Sequence, residues 1–122
     1  MIYLASPFTH YSRAISHARF VTVSRATARL IDIGVRVISP IAHSWALVNY
    51  GGAQSGWDYW KDYDEALLSA CTELWVLMLS GWKDSPGVQG EIEMAKAREM
   101  PIKYITMSDI ETMEREAKKE TD

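Results

Sequence analysis

Asp84-Ser85-Pro86-Gly87-Val88-Gln89-Gly90-Glu91 follows an apolar run, Leu74-Trp75-Val76-Leu77-Met78-Leu79, and opens a helical pattern. A carboxylate about one turn inside a helix that starts at a strand's end is well placed to do chemistry. Ser85 suits an N-cap, Pro86 the first helical position, and Gly87 lets a ligand approach the backbone. Free N–H groups and the helix dipole at such a start favour an anion. Glu91 lies further along, facing the same opening. The plainer alternative is a capped helix with a surface glutamate.

Other loops offer partners. Ser6, Thr9, His10 and Arg13 combine hydroxyls, backbone amides and a guanidinium, which suit a phosphate; alternatively they form a turn and a basic helix face. No Gly-rich Walker or dinucleotide fingerprint is present, and Lys83 alone does not make one. In Trp57-Asp58-Tyr59-Trp60-Lys61-Asp62-Tyr63-Asp64, Trp57, Trp60 and Asp64 fall near one helical side. Asp58 and Asp62 read as solvated; Asp64 could act beside a ring of the ligand. His43, in Ser39-Pro40-Ile41-Ala42-His43-Ser44-Trp45, follows a strand and so lies on the ligand edge, although a lone histidine is usually structural. His10, His17 and His43 lack metal-ligand spacing, so no metal is expected. Cys71 reads as core, with no triad around it.

The elements that must position these residues are legible from periodicity. Ile2 to Ala5 is a short strand ended by Ser6-Pro7. Ser12 to Ile33 is compatible with a long amphipathic helix, stopped at Gly34, and Val35 to Ile38 is a second strand. Ile41 to Gly56, rich in Gly, Ser, Asn and aromatics, reads as a loop with at most one helical turn. Trp57 to Ala70 is helical. Glu73 to Leu79 is a strand with almost no alternation, as expected when both faces are covered. A helix from Pro86 to Glu99, a strand from Pro101 to Ile105 and a helix from Ser108 to Lys119 complete the chain; Ser108 and Glu111 are spaced as a capping box. This order implies an α/β doubly wound fold, Rossmann-like or flavodoxin-like, with a four-stranded parallel sheet flanked by helices. Ligands in such sheets bind beyond the carboxyl ends of the strands, which selects Ser6 to Arg13, Ser39 to Trp45 and Ser80 to Glu91.

The 122 residues read as a single domain, 1–122, of ordinary globular composition. A net charge of -3 gives no electrostatic footprint for nucleic acid. The lone cysteine excludes an internal disulfide framework and fits a reducing compartment. No apolar run approaches the roughly 20 residues that span a bilayer, and no basic n-region opens the chain. A cytoplasmic location without membrane association is the expectation.

Ile2-Tyr3-Leu4-Ala5-Ser6-Pro7-Phe8, Asp64, and Gly87-Val88-Gln89-Gly90-Glu91-Ile92 followed by Ala95, Ala97 and Pro101-Ile102 resemble the nucleoside 2-deoxyribosyltransferase-like superfamily over roughly residues 1 to 106. Blocks such as Ser39 to Ser44 and Leu77 to Trp82 resemble a group of short, uncharacterised bacterial and phage proteins. The resemblance implies cleavage of an N-glycosidic bond through a covalent glycosyl-enzyme, with the logic of a retaining glycosidase. It implies Glu91 as nucleophile, Tyr3 orienting it, and Asp64 contacting the base and helping to protonate it. Substrate would be held by Ser6, Pro7, Phe8, Arg13, His43, Ser85 and Gly87, with no cofactor. The transferases carry an aspartate six residues before the glutamate; here Ser85 stands there, as in the nucleoside 5′-monophosphate N-glycosidases, where serine holds the phosphate. A one-residue shift of the loop would instead present Asp84. The glycine after the family's glutamate is replaced by Glu93.

The expected function is therefore hydrolysis of the base–sugar bond of a (deoxy)nucleoside 5′-monophosphate. Base exchange between deoxynucleosides, non-catalytic nucleotide sequestration and a purely structural domain are the alternatives. The expected partners are a small-molecule nucleotide or nucleoside and a second copy of the chain, with Trp45 to Trp60, Trp75 and Trp82 as interface candidates.

Overall fold

A computed structural model of the chain describes residues 1–121. Four strands, β1 (Ile2–Ala5), β2 (Val37–Ile38), β3 (Glu73–Leu77) and β4 (Ile102–Ile105), form one parallel sheet in the order β2-β1-β3-β4. Parallel neighbours require long crossovers, and helices supply them. The chain runs outward from β1 to β2 and then from β3 to β4. The order therefore reverses between β1 and β3, and the loops that leave these two strands diverge there.

Alternation along the strands builds two cores. Tyr3, Ala5, Leu74 and Val76 face α3 (Trp57–Ser69) and α4 (Pro86–Ala97), meeting Leu68, Val88, Ile92 and Ala95. Leu4, Trp75, Leu77 and Ile105 face α1 (Arg13–Asp32) and α5 (Met107–Thr121), meeting Val23, Ala26, Leu30 and Ile110. Both faces of β3 are covered, which explains its unbroken apolar run. The expected α/β doubly wound fold is the one observed. Cys71 is buried in the first core, as expected.

Several boundaries differ from the sequence reading. Ser12 caps α1 through Ile15 N–H, and Gly34 follows its end at φ 91°, as expected. The segment read as a loop after β2 holds a ten-residue helix, α2 (Pro40–Asn49). Ser39 accepts from Ala42 N–H at 3.1 Å and Pro40 occupies the first turn, a start signal that the apolar, aromatic composition obscured. Only Pro40 of α2 is buried, so no polar stripe marks the helix in the sequence. Trp75, expected at an interface, is 7% exposed in the second core, with Lys103 Nζ 4.7 Å from its ring centroid. Trp82 packs on Tyr104.

The capping box of α5 lies two residues earlier than Ser108 and Glu111. Thr106 N–H donates to Asp109 Oδ2 at 2.8 Å, and Asp109 N–H donates to Thr106 Oγ1 at 3.1 Å. Aspartate closes the box as glutamate would, with a shorter reach. Thr106→Ala should cost about 1 kcal/mol of stability, while Ser108→Ala should be close to neutral, both read by urea denaturation. A larger loss for Ser108→Ala would restore the Ser108 box.

Candidate active site

The inward stripe of α4 is Val88, Glu91, Ile92 and Ala95, the spacing of a core-facing helix side. Glu91 is the one carboxylate on it and is 4% exposed. The sequence carried this signal: an acid at an apolar register position is not a surface residue. Tyr3, at 0% exposure on β1, points to the same face and donates its hydroxyl to Glu91 Oε2. Asp64 shares the inward side of α3 with Leu68 and is also buried. The structure thus brings Tyr3, Asp64 and Glu91 together from three elements.

Burial governs their protonation. Glu91 is pushed up to about 8, chiefly by desolvation; the Tyr3 hydrogen bond lowers it and the Asp64 charge raises it. Asp64 is raised to about 6 by desolvation. The Tyr3 phenol is raised by burial and by both carboxylates, so it remains a donor.

Asp64 and Glu91 open onto a cavity of about 180 Å³ beyond the carboxyl ends of β1 and β3. Its other walls are Ser6, Phe8 and Thr9 from the first loop, and Ile41, Ser44, Trp45 and Val48 from α2. Ser55 and Gly56, Trp57 and Trp60 of α3, and Ser85, Pro86 and Gly87 at the start of α4 complete it. Ser6 is 4% exposed, and its hydroxyl has no hydrogen-bond partner among the described residues. Ser85 Oγ accepts the Val88 N–H at 3.3 Å, which leaves its own O–H free to donate. Asp84 is exposed in a 3-10 turn and does not line the cavity, so the loop presents Ser85.

The remaining expected site residues fall elsewhere. Pro7 is fully buried beneath the first loop. Arg13 is exposed at the start of α1 and lines no part of the cavity. His43 is exposed on α2, 3.0 Å from the Tyr63 hydroxyl and stacked on its ring. Glu93 is exposed and pairs with Lys96 at 3.9 Å. The guanidinium that does reach these loops belongs to Arg19. It donates to Thr9 O at 3.0 Å, Phe8 O at 3.5 Å and Ser80 O at 3.2 Å, tying the two diverging loops. Nothing local in the sequence marks Arg19, because its acceptors lie up to 61 residues away.

The arrangement offers a buried carboxyl steadied by a phenol, and a second carboxyl raised to about 6. Hydroxyls and aromatic rings surround them. Among the described residues, no Lys, Arg or His lines the cavity, and no group of three or more His, Cys, Asp and Glu could hold a metal ion. No helix among them is long and apolar enough to cross a membrane.

Both raised carboxyl groups bind more protons in the folded state than in the unfolded chain. Their stabilisation is therefore complete below the unfolded values, 3.8 for Asp64 and 4.5 for Glu91, and is lost as pH rises through about 6 and about 8 respectively. Denaturation across this window should show wild type losing stability as pH rises, and Glu91→Gln losing less. Parallel curves for the two proteins would refute the burial of a titrating Glu91.

The chain belongs to the family described as a domain of unknown function, DUF1937, whose model matches residues 1–107. No curated protein matches it.

Proposed function

We propose that this protein hydrolyses the N-glycosidic bond of a (deoxy)nucleoside 5′-monophosphate, with Glu91 as nucleophile. The observation that carries this reading is the buried Glu91 carboxyl, held by the Tyr3 hydroxyl and facing a ring-lined cavity shared with Asp64. The resemblance of the Tyr3, Asp64 and Glu91 segments to the nucleoside 2-deoxyribosyltransferase-like superfamily supports it.

In the first step the Glu91 carboxylate attacks the anomeric carbon. The carbon–nitrogen bond breaks, its electron pair stays on the base, and Asp64 supplies the proton that the base takes. Water then attacks the anomeric carbon, releases Glu91 and returns a proton to the Asp64 carboxylate. Splitting one displacement into two is the gain of covalent catalysis. Tyr3 acts by donating to the carboxylate that forms when the sugar leaves. Between about pH 6 and about pH 8 the Asp64–Glu91 pair holds a single proton, and the reactive form is the one with that proton on Asp64.

Ser85 at the N-terminus of α4 and Ser6 in the first loop offer donors to the same cavity, and the helix dipole adds a partial positive charge, which supports a phosphate. Base exchange on free nucleosides is the second reading. It is favoured by the lack of a cation on the cavity wall among the described residues. The exposed Leu47, Tyr50, Tyr59 and Tyr63 on the outer side of α2 and α3 support a homo-oligomer.

A panel of nucleoside monophosphates and free nucleosides, followed for released base, tests the reading. Base should appear with a monophosphate and no acceptor, with kcat/KM rising through about pH 6 and falling through about pH 8. Glu91→Ala should lose on the order of 1000-fold in rate or more. Release only when an acceptor base is added supports exchange, and tight binding with the nucleotide returned intact supports sequestration. Full activity in Glu91→Ala removes the mechanism. Light scattering should give a multiple of the 13.8 kDa chain mass; a monomer at micromolar concentration contradicts the oligomer.

A further inference from the structure

Gly87 and Gly90 lie three residues apart on α4, and the six-membered ring of Trp57 runs along them. A Cβ on Gly87 would sit at ordinary contact, 3.6 Å from Trp57 Cε3. A Cβ on Gly90 would overlap the ring, 2.7 Å from Cε2 and 3.1 Å from Cη2. Gly90 is therefore a seat: its missing side chain is the space that the ring occupies. Neither glycine needs an unusual backbone, since neither has positive φ. Helix-interior glycine costs stability relative to alanine, so Gly90 is explained by the ring it admits, whereas a side chain at position 87 would meet the ring only at ordinary contact.

Trp57 is half-buried and also lines the cavity, together with Trp60 and Asp64 of the same helix. One side of its ring is fixed by α4, and the rest borders the space next to Glu91, one residue beyond Gly90. Aromatic faces hold heteroaromatic bases by stacking, with little regard to sequence of atoms on the ring edge.

We infer that Trp57 is the platform on which the substrate's base stacks, and that Gly90 sets the depth of that platform and so the width left for the base. The inference rests on the nucleotide reading above and adds a residue that selects by size. A methyl group at position 90 displaces the ring towards the cavity and discriminates most against two-ring bases.

Calorimetric titration of Glu91→Gln protein, in which the nucleotide survives, with deoxyadenosine and deoxycytidine monophosphates tests it. Adding Trp57→Ala should weaken both ligands about tenfold or more. Adding Gly90→Ala should weaken the adenine nucleotide more than the cytosine nucleotide. In the Trp57→Ala background Gly90→Ala should have no further effect, because the obstructing ring is gone. An equal cost of Gly90→Ala with and without Trp57 overturns the inference. If Gly90→Ala does not fold, Trp57→Phe against Trp57→Ala decides: phenylalanine should keep most of the affinity, and equal losses overturn the platform. If neither nucleotide binds, the nucleotide reading falls, and free adenine and indole become the probes. Ring binding that is lost in Trp57→Ala sustains the platform; ring binding indifferent to Trp57, or none, overturns it.

Discussion

Glu91 occupies a position where the fold calls for a hydrocarbon. Its neighbours on the inward side of α4 are Val88, Ile92 and Ala95, and its one side-chain hydrogen-bond donor among the described residues is the Tyr3 hydroxyl. An ionised carboxylate in such a place is expensive unless it is paired with charge and several donors. One phenol does not fully offset that cost, so the group answers by holding its proton to about pH 8. Much else follows from accommodating it. Tyr3 must lie on the strand next to β3, with its side chain on the α4 face, and the register pairing Tyr3 with Leu74 puts it there. The crossover that follows β3 must lay α4 on the sheet face to which Tyr3 points. A second carboxyl on α3 raises the cost further, yet keeps a proton available near neutrality. Two buried carboxyl groups cost stability, and strongly shifted groups in a cavity are candidates for chemistry, which supports the proposed reading.

The rest of the site is held by two unlike devices. At the switch point Arg19 gathers carbonyls from both diverging loops, so Ser6, Phe8 and Thr9 are fixed relative to the turn that leads to Ser85. The planar guanidinium reaches several acceptors at once, which an ammonium on a single bond does less well. Gly81, at φ 92° beside this guanidinium, leaves room for it: a Cβ there would lie 2.5 Å from Arg19 Nη2. On the other side, contact between Trp57 and the glycines of α4 joins the two helices that carry Asp64 and Glu91. Polar donors thus fix the loops, while shape fixes the helices.

The fold was readable because its signals are local and periodic. The strands, α1, α3 and α4 follow from apolar runs bounded by Ser-Pro or Gly. α2 was not readable, since a helix lying on the cavity rim buries only Pro40 and so shows no two-sided pattern. Among the site residues, Tyr3, Ser85 and Glu91 sit in segments with their own start and stop signals. Arg13 and Arg19 are both basic residues early in α1, and composition alone does not separate them. The choice depends on helix phase against the loops, which exists only once the chain is folded. Trp57 and Gly90 were each visible, but their fit is a contact between helices 33 positions apart in the sequence.

The lack of a cation on the cavity wall among the described residues bears on how a phosphate could be used in the proposed reaction. Ser85 and Glu91 stand six positions apart on one helix, about 9 Å along its axis. A phosphate charge near Ser85 would then repel an ionised Glu91 by roughly 2 kcal/mol per unit charge at an intermediate dielectric. In the substrate complex this repulsion raises the energy of the ionised Glu91, which is the form that attacks. It changes sign of effect as the glycosidic bond breaks. The sugar becomes cationic between the two anions, and both then attract it. Charge that weakens the ground state and favours the transition state lowers the barrier, because only the difference between the two states accelerates the step. A lysine or arginine beside the phosphate would tighten binding and cancel part of that difference. In the proposed reaction, hydroxyls and a helix N-terminus would hold the phosphate with less neutralisation and would leave its field available to the reacting carbon.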